Sequence, residues 1–513
     1  MLFPYSTDEH GTPSELGATR EGISPIEYTT KYHEIHKKIY ADFNISFDHI
    51  GRTSGATNAE LTTQLAREIN LNGLIEVRET EQMYSVTDGR FLPDRYVEGE
   101  CPFCAAKARG DQCETCTKLL DPQMLKNPRS AISGATDLEM RKTSHLYFLL
   151  SKMETPLRKW VDGHKDDWPA LTLGVAYKWL DEGLADRSIT RDLNWGVPVP
   201  ADVWPELSAE GKVFYVWFDA PVGYISATKE YCDARSEDWR DWWFNPDVRY
   251  FQFMGKDNLP FHSIFFPAML MASAKDYHLV DRLKGMSYLN FDGGKFSKSE
   301  KRGIFLDDAA AEFPETDYLR YSIMKGLPEA SDTDFSFARL ADDVNKDIND
   351  VLGNFVLRVM KFYRSKFGEE LLHSPAIDPT LAAELTRKIT DYEEHLNRLE
   401  FKKALAELRS IWTLGNEYLD RKAPWSLYKT DPDAAGALLT FAMNLARIYA
   451  TLATPIIPTL SQRILDALNT PLSWEFPLDM LDKGHKINVP EALFTKITPE
   501  RVEELNGKYN GKT

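Results

Sequence analysis

Apolar residues follow two different rhythms along the chain. Up to about residue 340, short continuous apolar runs alternate with polar turns rich in glycine and proline; beyond it, Leu, Ala, Ile and Val recur every three or four positions. The first rhythm predicts short buried strands feeding helices, and the second predicts amphipathic helices packed on one another. Residues 2–6 are the first apolar run and are expected to form a buried strand. Thr12-Pro13-Ser14-Glu15 combines a capping-box pattern with proline at the first helical position, so a helix should begin there. A strand that feeds a helix through Thr7, Asp8, Glu9 and His10 is α/β architecture, in which ligands bind at the carboxyl ends of strands. Residues 213–219 and 248–255 read as further buried strands, each ending in a polar turn. Residues 75–192 have mixed patterning and read as an insertion splitting one α/β domain. Helical periodicity over 352–362, 405–419 and 435–452 predicts a bundle, and residues 498–513 read as one capped helix with a polar tail.

Composition narrows the function classes. A chain of 513 residues has room for about two to four domains. Its formal charge of −17 argues against a protein that coats nucleic acid by bulk electrostatics. Any RNA contact would rest on local basic patches, such as residues 361–366 or Lys402 and Lys403 with Arg409. Residues 1–11 carry neither the basic run nor the apolar core of a signal peptide. The most apolar stretch, 264–272, is interrupted by Pro267 and is too short to span a bilayer, so no membrane association is expected.

Of five cysteines, four lie within sixteen positions. That usage suits a reducing, cytoplasmic compartment and a metal site rather than a disulfide framework. Cys101-Pro102-Phe103-Cys104 and Cys113-Glu114-Thr115-Cys116 give C-x2-C twice, with eight residues between the pairs. Each pair puts two thiolates on one tight turn, and two such turns can close a tetrahedral four-cysteine zinc site. Gly110 and Asp111 allow the chain to reverse between them. A closed site leaves no open coordination position, so one structural Zn²⁺ is expected, without a chemical role. Cys232 stands outside the pattern.

Gly293-Gly294-Lys295-Phe296-Ser297-Lys298-Ser299 places two lysines and two hydroxyls behind a glycine pair. Glycine relaxes the backbone and lysine offers a flexible point charge for phosphate. The string closely resembles the KMSKS loop of class I aminoacyl-tRNA synthetases, with Phe296 where methionine is commonest. Further strings agree in order and spacing with the methionyl-tRNA synthetase family. They are Thr7 to Pro13 (TDEHGTP), the cysteine pairs, Arg191 to Pro198 (RDLNWGVP), Trp217 to Tyr224 (WFDAPVGY), Gly255 to His262 (GKDNLPFH), Asn354 with Arg358, and Ala423-Pro424-Trp425. Singly they are modest signals; as a collinear set over nearly the whole chain they are strong.

The resemblance implies a Rossmann-like class I catalytic domain split by a zinc-bearing insertion and followed by an α-helical anticodon-binding bundle. The expected segments are 1–74 and 193–340 for the two catalytic parts, 75–192 for the insertion, 341–480 for the bundle and 481–513 for a tail. It implies ATP with Mg²⁺, methionine and tRNA(Met) as substrates. Lys295 and Lys298 would neutralise charge on the transferring α-phosphate and the departing pyrophosphate. Gly255, Asp257 and Lys298 would bind ATP, with Asp257 accepting from ribose hydroxyls. Asp8 would pair with the methionine α-ammonium, while Trp217, Ala220, Pro221, Tyr224 and His262 would line an apolar pocket suited to a thioether. Arg191 would lie near the activated substrate or anchor the domain junction. Asn354, Arg358 and Trp425 would read the anticodon by hydrogen bonding and stacking.

One departure matters. The family carries a His-x-Gly-His motif several dozen residues before TDEHGTP, whereas here that string starts at residue 7, and His49-Ile50-Gly51-Arg52 lies downstream and ends in arginine. The expectation is an N-terminally incomplete, monomeric synthetase with little methionine-dependent ATP–pyrophosphate exchange. The alternative is a silent module that retains methionine or tRNA binding; a class I relative with a leucine, valine or cysteine pocket is the third reading.

Overall fold

The computed structural model describes residues 1–110, 113, 120–297, 301–475 and 478–511. The chain forms two compact units, one of residues 1–40 and 45–285, the other of 41–44 and 286–513.

In the first unit the strand Pro4–Thr7 pairs in parallel with His49–Arg52, Tyr5 opposite Ile50. The crossover runs through the helices Thr12–Glu21 and Pro25–Asp42, as parallel pairing requires. The first helix starts where expected, with Pro13 in its first turn, but the capping box is not formed. Gly11 occupies the cap with φ 92°, a conformation that costs glycine little, so Thr12 is already inside the helix. Glu15 instead receives a 3.1 Å bond from Arg90. His49-Ile50-Gly51-Arg52 is strand, not a catalytic loop. A Cβ at Gly51 would lie 3.0 Å from the Glu230 carboxylate and 3.2 Å from Ala227, so a side chain there would press on the neighbouring helix.

Residues 213–219, expected as one strand, are strand only at Val213–Phe214, which pairs antiparallel with Thr190–Arg191. The chain then turns helical through Val216–Asp219, Ala220–Val222 and Gly223–Asp233. Phe214, at the end of the strand, and Phe218, on the helical turn that follows, stack at 5.1 Å. Short apolar runs do not distinguish strand from buried helix by periodicity. The strand Phe251–Gly255, shorter than the expected 248–255, lies beside Arg282–Met286.

Within residues 75–192, Ile75–Ser85 and Leu138–Phe148 form an antiparallel ribbon in register from Ile75↔Phe148 to Ser85↔Leu138. A separate three-stranded sheet orders Lys107–Arg109, Val97–Glu100 and Lys126–Ser130. Tyr96, Val97, Cys101, Cys113 and Leu125 build its small core.

The second unit opens with Leu289–Phe291 paired in parallel with Thr333–Phe335. It continues through the long helices Asn354–Phe367, Pro379–Asn397, Phe401–Lys422 and Pro432–Ala453, the bundle that the 3.6-residue rhythm predicts. Pro432–Ala453 is long and apolar enough to cross a membrane, yet 89% of its apolar window is buried within the protein. It is the central helix of the bundle. Pro499–Tyr509 closes the chain, capped by Thr498, which accepts from the Arg501 amide.

Candidate functional site

The turn after the Pro4–Thr7 strand presents three ionisable residues in a row, and the fold gives them separate environments. Glu9 is 2% exposed and fully engaged: Arg52 Nε donates to both its oxygens at 2.9 and 3.0 Å, and the Thr7 and Ser54 hydroxyls donate as well. Trp195 Nε1 donates to the Glu9 carbonyl at 2.6 Å and meets the His10 ring edge-on at 5.1 Å. His10 Nδ1 bonds to the fully buried Asp219. Asp8 alone keeps solvent access in the row. Crowding by protein atoms, then the nearby Asp219 carboxylate, pushes its carboxyl up to about 7, with His10 opposing. Burial likewise raises the Asp219 carboxyl, against its bond to His10. A cation placed beside Asp8 would favour its ionised form.

Tyr224 and His262 lie in the same unit. The Tyr224 hydroxyl lies 2.9 Å from His262 Nε2, and His262 Nδ1 lies 2.9 Å from the Asn258 carbonyl. A carbonyl only accepts, so Nδ1 carries the proton and Nε2 accepts from the phenol. Burial holds the imidazole neutral, down to about 4, and pushes the Tyr224 phenol up to about 12 with a smaller contribution from Asp8. His262 sits on a π-helical turn, Phe261–Phe265, a departure from α-helix frequent at functional sites. Its neighbour Phe261 stacks face to face on Trp217, centroids 3.8 Å apart and planes 7° from parallel. Both rings are half-buried. Ala220 and Pro221 form the turn between Trp217 and Tyr224.

Gly255 ends its strand, and the Asn258 amide bonds back to its carbonyl at 3.0 Å. A Cβ at Gly255 would lie 2.7 Å from the Asp257 carboxylate, so glycine is needed for that side chain to fold back. Arg191 packs over the Tyr215 ring at 4.0 Å and donates to the Ser188 and Thr190 carbonyls at 3.2 and 2.9 Å, an anchoring pattern. In the second unit Lys295 is exposed beside the Gly293-Gly294 turn. Lys298 lies outside the described residues.

The sulfur atoms of Cys101, Cys104 and Cys113 lie within 4.8 Å of one another, with Cys104 and Cys113 at 3.6 Å. Thiolates around one tetrahedral zinc stand about 3.8 Å apart, as follows from a Zn–S bond of about 2.3 Å. The three therefore fit that donor set. Cys116, the expected fourth ligand, lies outside the described residues.

Arg358 stacks its guanidinium over the Trp425 ring at 4.6 Å, and Asp420 accepts from it at 3.4 Å. Asn354 is exposed one turn earlier on the same helix. Proline at 424, preceded by Ala423 in the left-handed region at φ 44°, starts the short helix that carries Trp425. Two residues escaped sequence reasoning. Asp219 and Phe261 both stand inside recognised strings, but nothing local marks one as the partner of His10 or the other as the stack on Trp217.

The parallel crossover that begins at an ionisable turn, the cysteine cluster fit for zinc and the helical second unit accompany a match to the class I tRNA synthetases. Residues 1–360 match the family described as tRNA synthetases class I (M), and residues 373–513 match the anticodon binding domain of methionyl tRNA ligase. The methionine–tRNA ligase of Streptomyces avermitilis is 47% identical over 530 residues, covering 100% of this chain and 92% of that protein. That of Dinoroseobacter shibae is 49% identical over 531 residues, with the same coverage. The fold is similar to that of Mycobacterium tuberculosis methionyl-tRNA synthetase in complex with methionyl-adenylate, at TM-score 0.78 and 24% identity over 96% of this chain and 91% of that one. The chain belongs to the methionine–tRNA ligase family of class I tRNA synthetases.

Proposed function

We propose that this protein is a methionine–tRNA ligase. A methionine carboxylate oxygen attacks the α-phosphorus of ATP, pyrophosphate leaves, and methionyl-adenylate forms. The 3′-terminal ribose hydroxyl of tRNA(Met) then attacks the adenylate carbonyl and AMP leaves. The observation that carries the reading is the neutral Tyr224–His262 pair, near enough to Asp8 to feel its charge, within a chain 47% identical over its whole length to a methionine–tRNA ligase.

Asp8 takes the α-ammonium. Trp217, Ala220, Pro221, Tyr224 and His262 surround the thioether, where aromatic faces favour sulfur and the fixed tautomer offers no charge to a neutral side chain. Gly255 and Asp257 hold the nucleoside. Lys295 and Lys298 act on the phosphates, where one well-placed cation is worth about 3 kcal/mol of barrier. ATP enters with Mg²⁺ as substrate. Asn354, Arg358 and Trp425 read the anticodon, with unstacked bases on the indole. One structural Zn²⁺ is held by Cys101, Cys104, Cys113 and Cys116 and orders the insertion, which spans 75–192 between catalytic parts 1–74 and 193–340. The anticodon bundle is 341–480 and the tail 481–513. The protein acts as a monomer in the cytoplasm.

The deciding measurement is pyrophosphate exchange into ATP with methionine, leucine or valine, followed by charging of tRNA(Met). Exchange with methionine alone supports the ligase. Methionine binding without exchange would leave the silent binding module as the better description.

A further inference from the structure

The arm that carries the phosphate lysines is tied at its base to the C-terminal end of the chain, and every atom of the tie lies in the second unit. Ser297 and Arg302 exchange two backbone bonds of 2.9 Å in antiparallel register. Arg302 and Gly303 have a second neighbour. The Gly303 amide donates to the Tyr509 carbonyl at 2.8 Å, and Arg302 bridges to Asn510 in antiparallel register. Asn510 Nδ2 donates at 3.0 Å to the carboxylate of Asp292, at the opposite foot of the arm, and Arg302 donates to the Asp292 carbonyl at 3.0 Å.

The helix Pro499–Tyr509 is itself locked. Glu312 accepts from Arg501 at 2.6 Å, from the Tyr509 hydroxyl at 2.8 Å and from Lys508. Lys508 foremost, with Tyr509 and Arg501, holds the Glu312 carboxyl down at about 2. Tyr509 is 6% exposed and packs on Phe337 at 6.0 Å. Gly303, at φ 96°, gives the Phe296 ring its seat, since a Cβ there would collide with that ring.

We infer that Tyr509 and Asn510 are positioning residues for the phosphate arm. They add a strand-like partner to Arg302 and Gly303 and tie Asp292, so that Lys295 is presented to ATP from a fixed base. The inference rests on the ligase reading for the role of the arm, while the tie is a property of this chain's backbone. A flexible lysine gains affinity when its base is preorganised, because less conformational entropy is lost on binding.

Three variants of the full chain test this: Asn510→Asp, the exchanged pair Asp292→Asn with Asn510→Asp, and Tyr509→Ala. Amide hydrogen exchange at Gly303 reads the tie, and equilibrium binding of ATP–Mg²⁺ and of methionine reads its consequence, all at low salt. Asn510→Asp sets two carboxylates face to face, so Gly303 should exchange faster and ATP should bind about fivefold more weakly, the scale of one lost hydrogen bond. The exchanged pair restores donor and acceptor and should recover both; Tyr509→Ala should lose more than Asn510→Asp. Methionine affinity and protection of the helix Leu306–Glu312 should stay at wild-type values in the two Asn510 variants. Unchanged Gly303 protection in Tyr509→Ala overturns the tie. Faster Gly303 exchange with unchanged ATP affinity overturns the positioning role. A wild-type chain that binds no ATP sinks the ligase reading itself, a result separable from either variant failure.

Discussion

The Tyr224 hydroxyl donates to Nε2 of His262, and the Asn258 carbonyl holds the opposite ring nitrogen protonated. One tautomer is therefore fixed. Tyr224→Phe would leave Nε2 buried without a donor, at a cost of about 1–3 kcal/mol. We expect a lower midpoint for the unfolding transition of the first unit and a KM for methionine raised about tenfold or more. Equal methionine KM in the two proteins would show that the phenol does not touch the substrate.

Asp8 supplies a pH dependence. Its carboxyl is raised to about 7 in the free protein, and an α-ammonium pairs only with the ionised form. Methionine affinity should climb as pH rises from 6 to 8 and level off above, with proton release on binding below pH 7. For stability the sign is opposite: the protonated form is the favoured one, so this group's contribution is present at low pH and lost as pH rises through about 7. Asp8→Asn should bind methionine weakly and flatten both profiles. Calorimetric titration across that range decides it.

Trp217 and Phe261 form a face-to-face pair, half-buried. Methionine should protect the protein from thermal unfolding better than leucine or valine, and Trp217→Ala should erase the difference. Equal protection by all three amino acids in the wild type would rule out this pocket.

Metal analysis of protein purified without chelators should find about one zinc per chain, as a closed four-thiolate site holds. Cys104→Ser should lose it and destabilise residues 75–192, because binding at such sites is coupled to folding. Zinc content near zero in the wild type would refute the assignment.

Arg358 and Trp425 should act on charging alone. Trp425→Ala removes a stacking face worth about 1–3 kcal/mol, so kcat/KM for tRNA(Met) should fall about ten- to a hundredfold while methionine-dependent exchange holds. A parallel fall in exchange would place the defect in folding instead.

The sequence by itself determined the class of architecture and the family. The change of apolar rhythm near residue 341 marked the helical bundle, because 3.6-residue spacing over tens of residues has one economical solution in water. The cysteine pairs and the collinear strings were legible because their chemistry is local. Local pattern misread residues 213–219, since an apolar run of that length suits a buried strand or a buried helix equally, and it could not see that Gly11 displaces the capping box. Only tertiary structure decided which carboxylate of the Asp8-Glu9 pair stays exposed. Glu9 is consumed by Arg52, 43 positions away, and Asp219 reaches His10 across 209 positions. Burial, partner and charge at those sites are set by chain segments far apart in sequence, and packing alone brings them together.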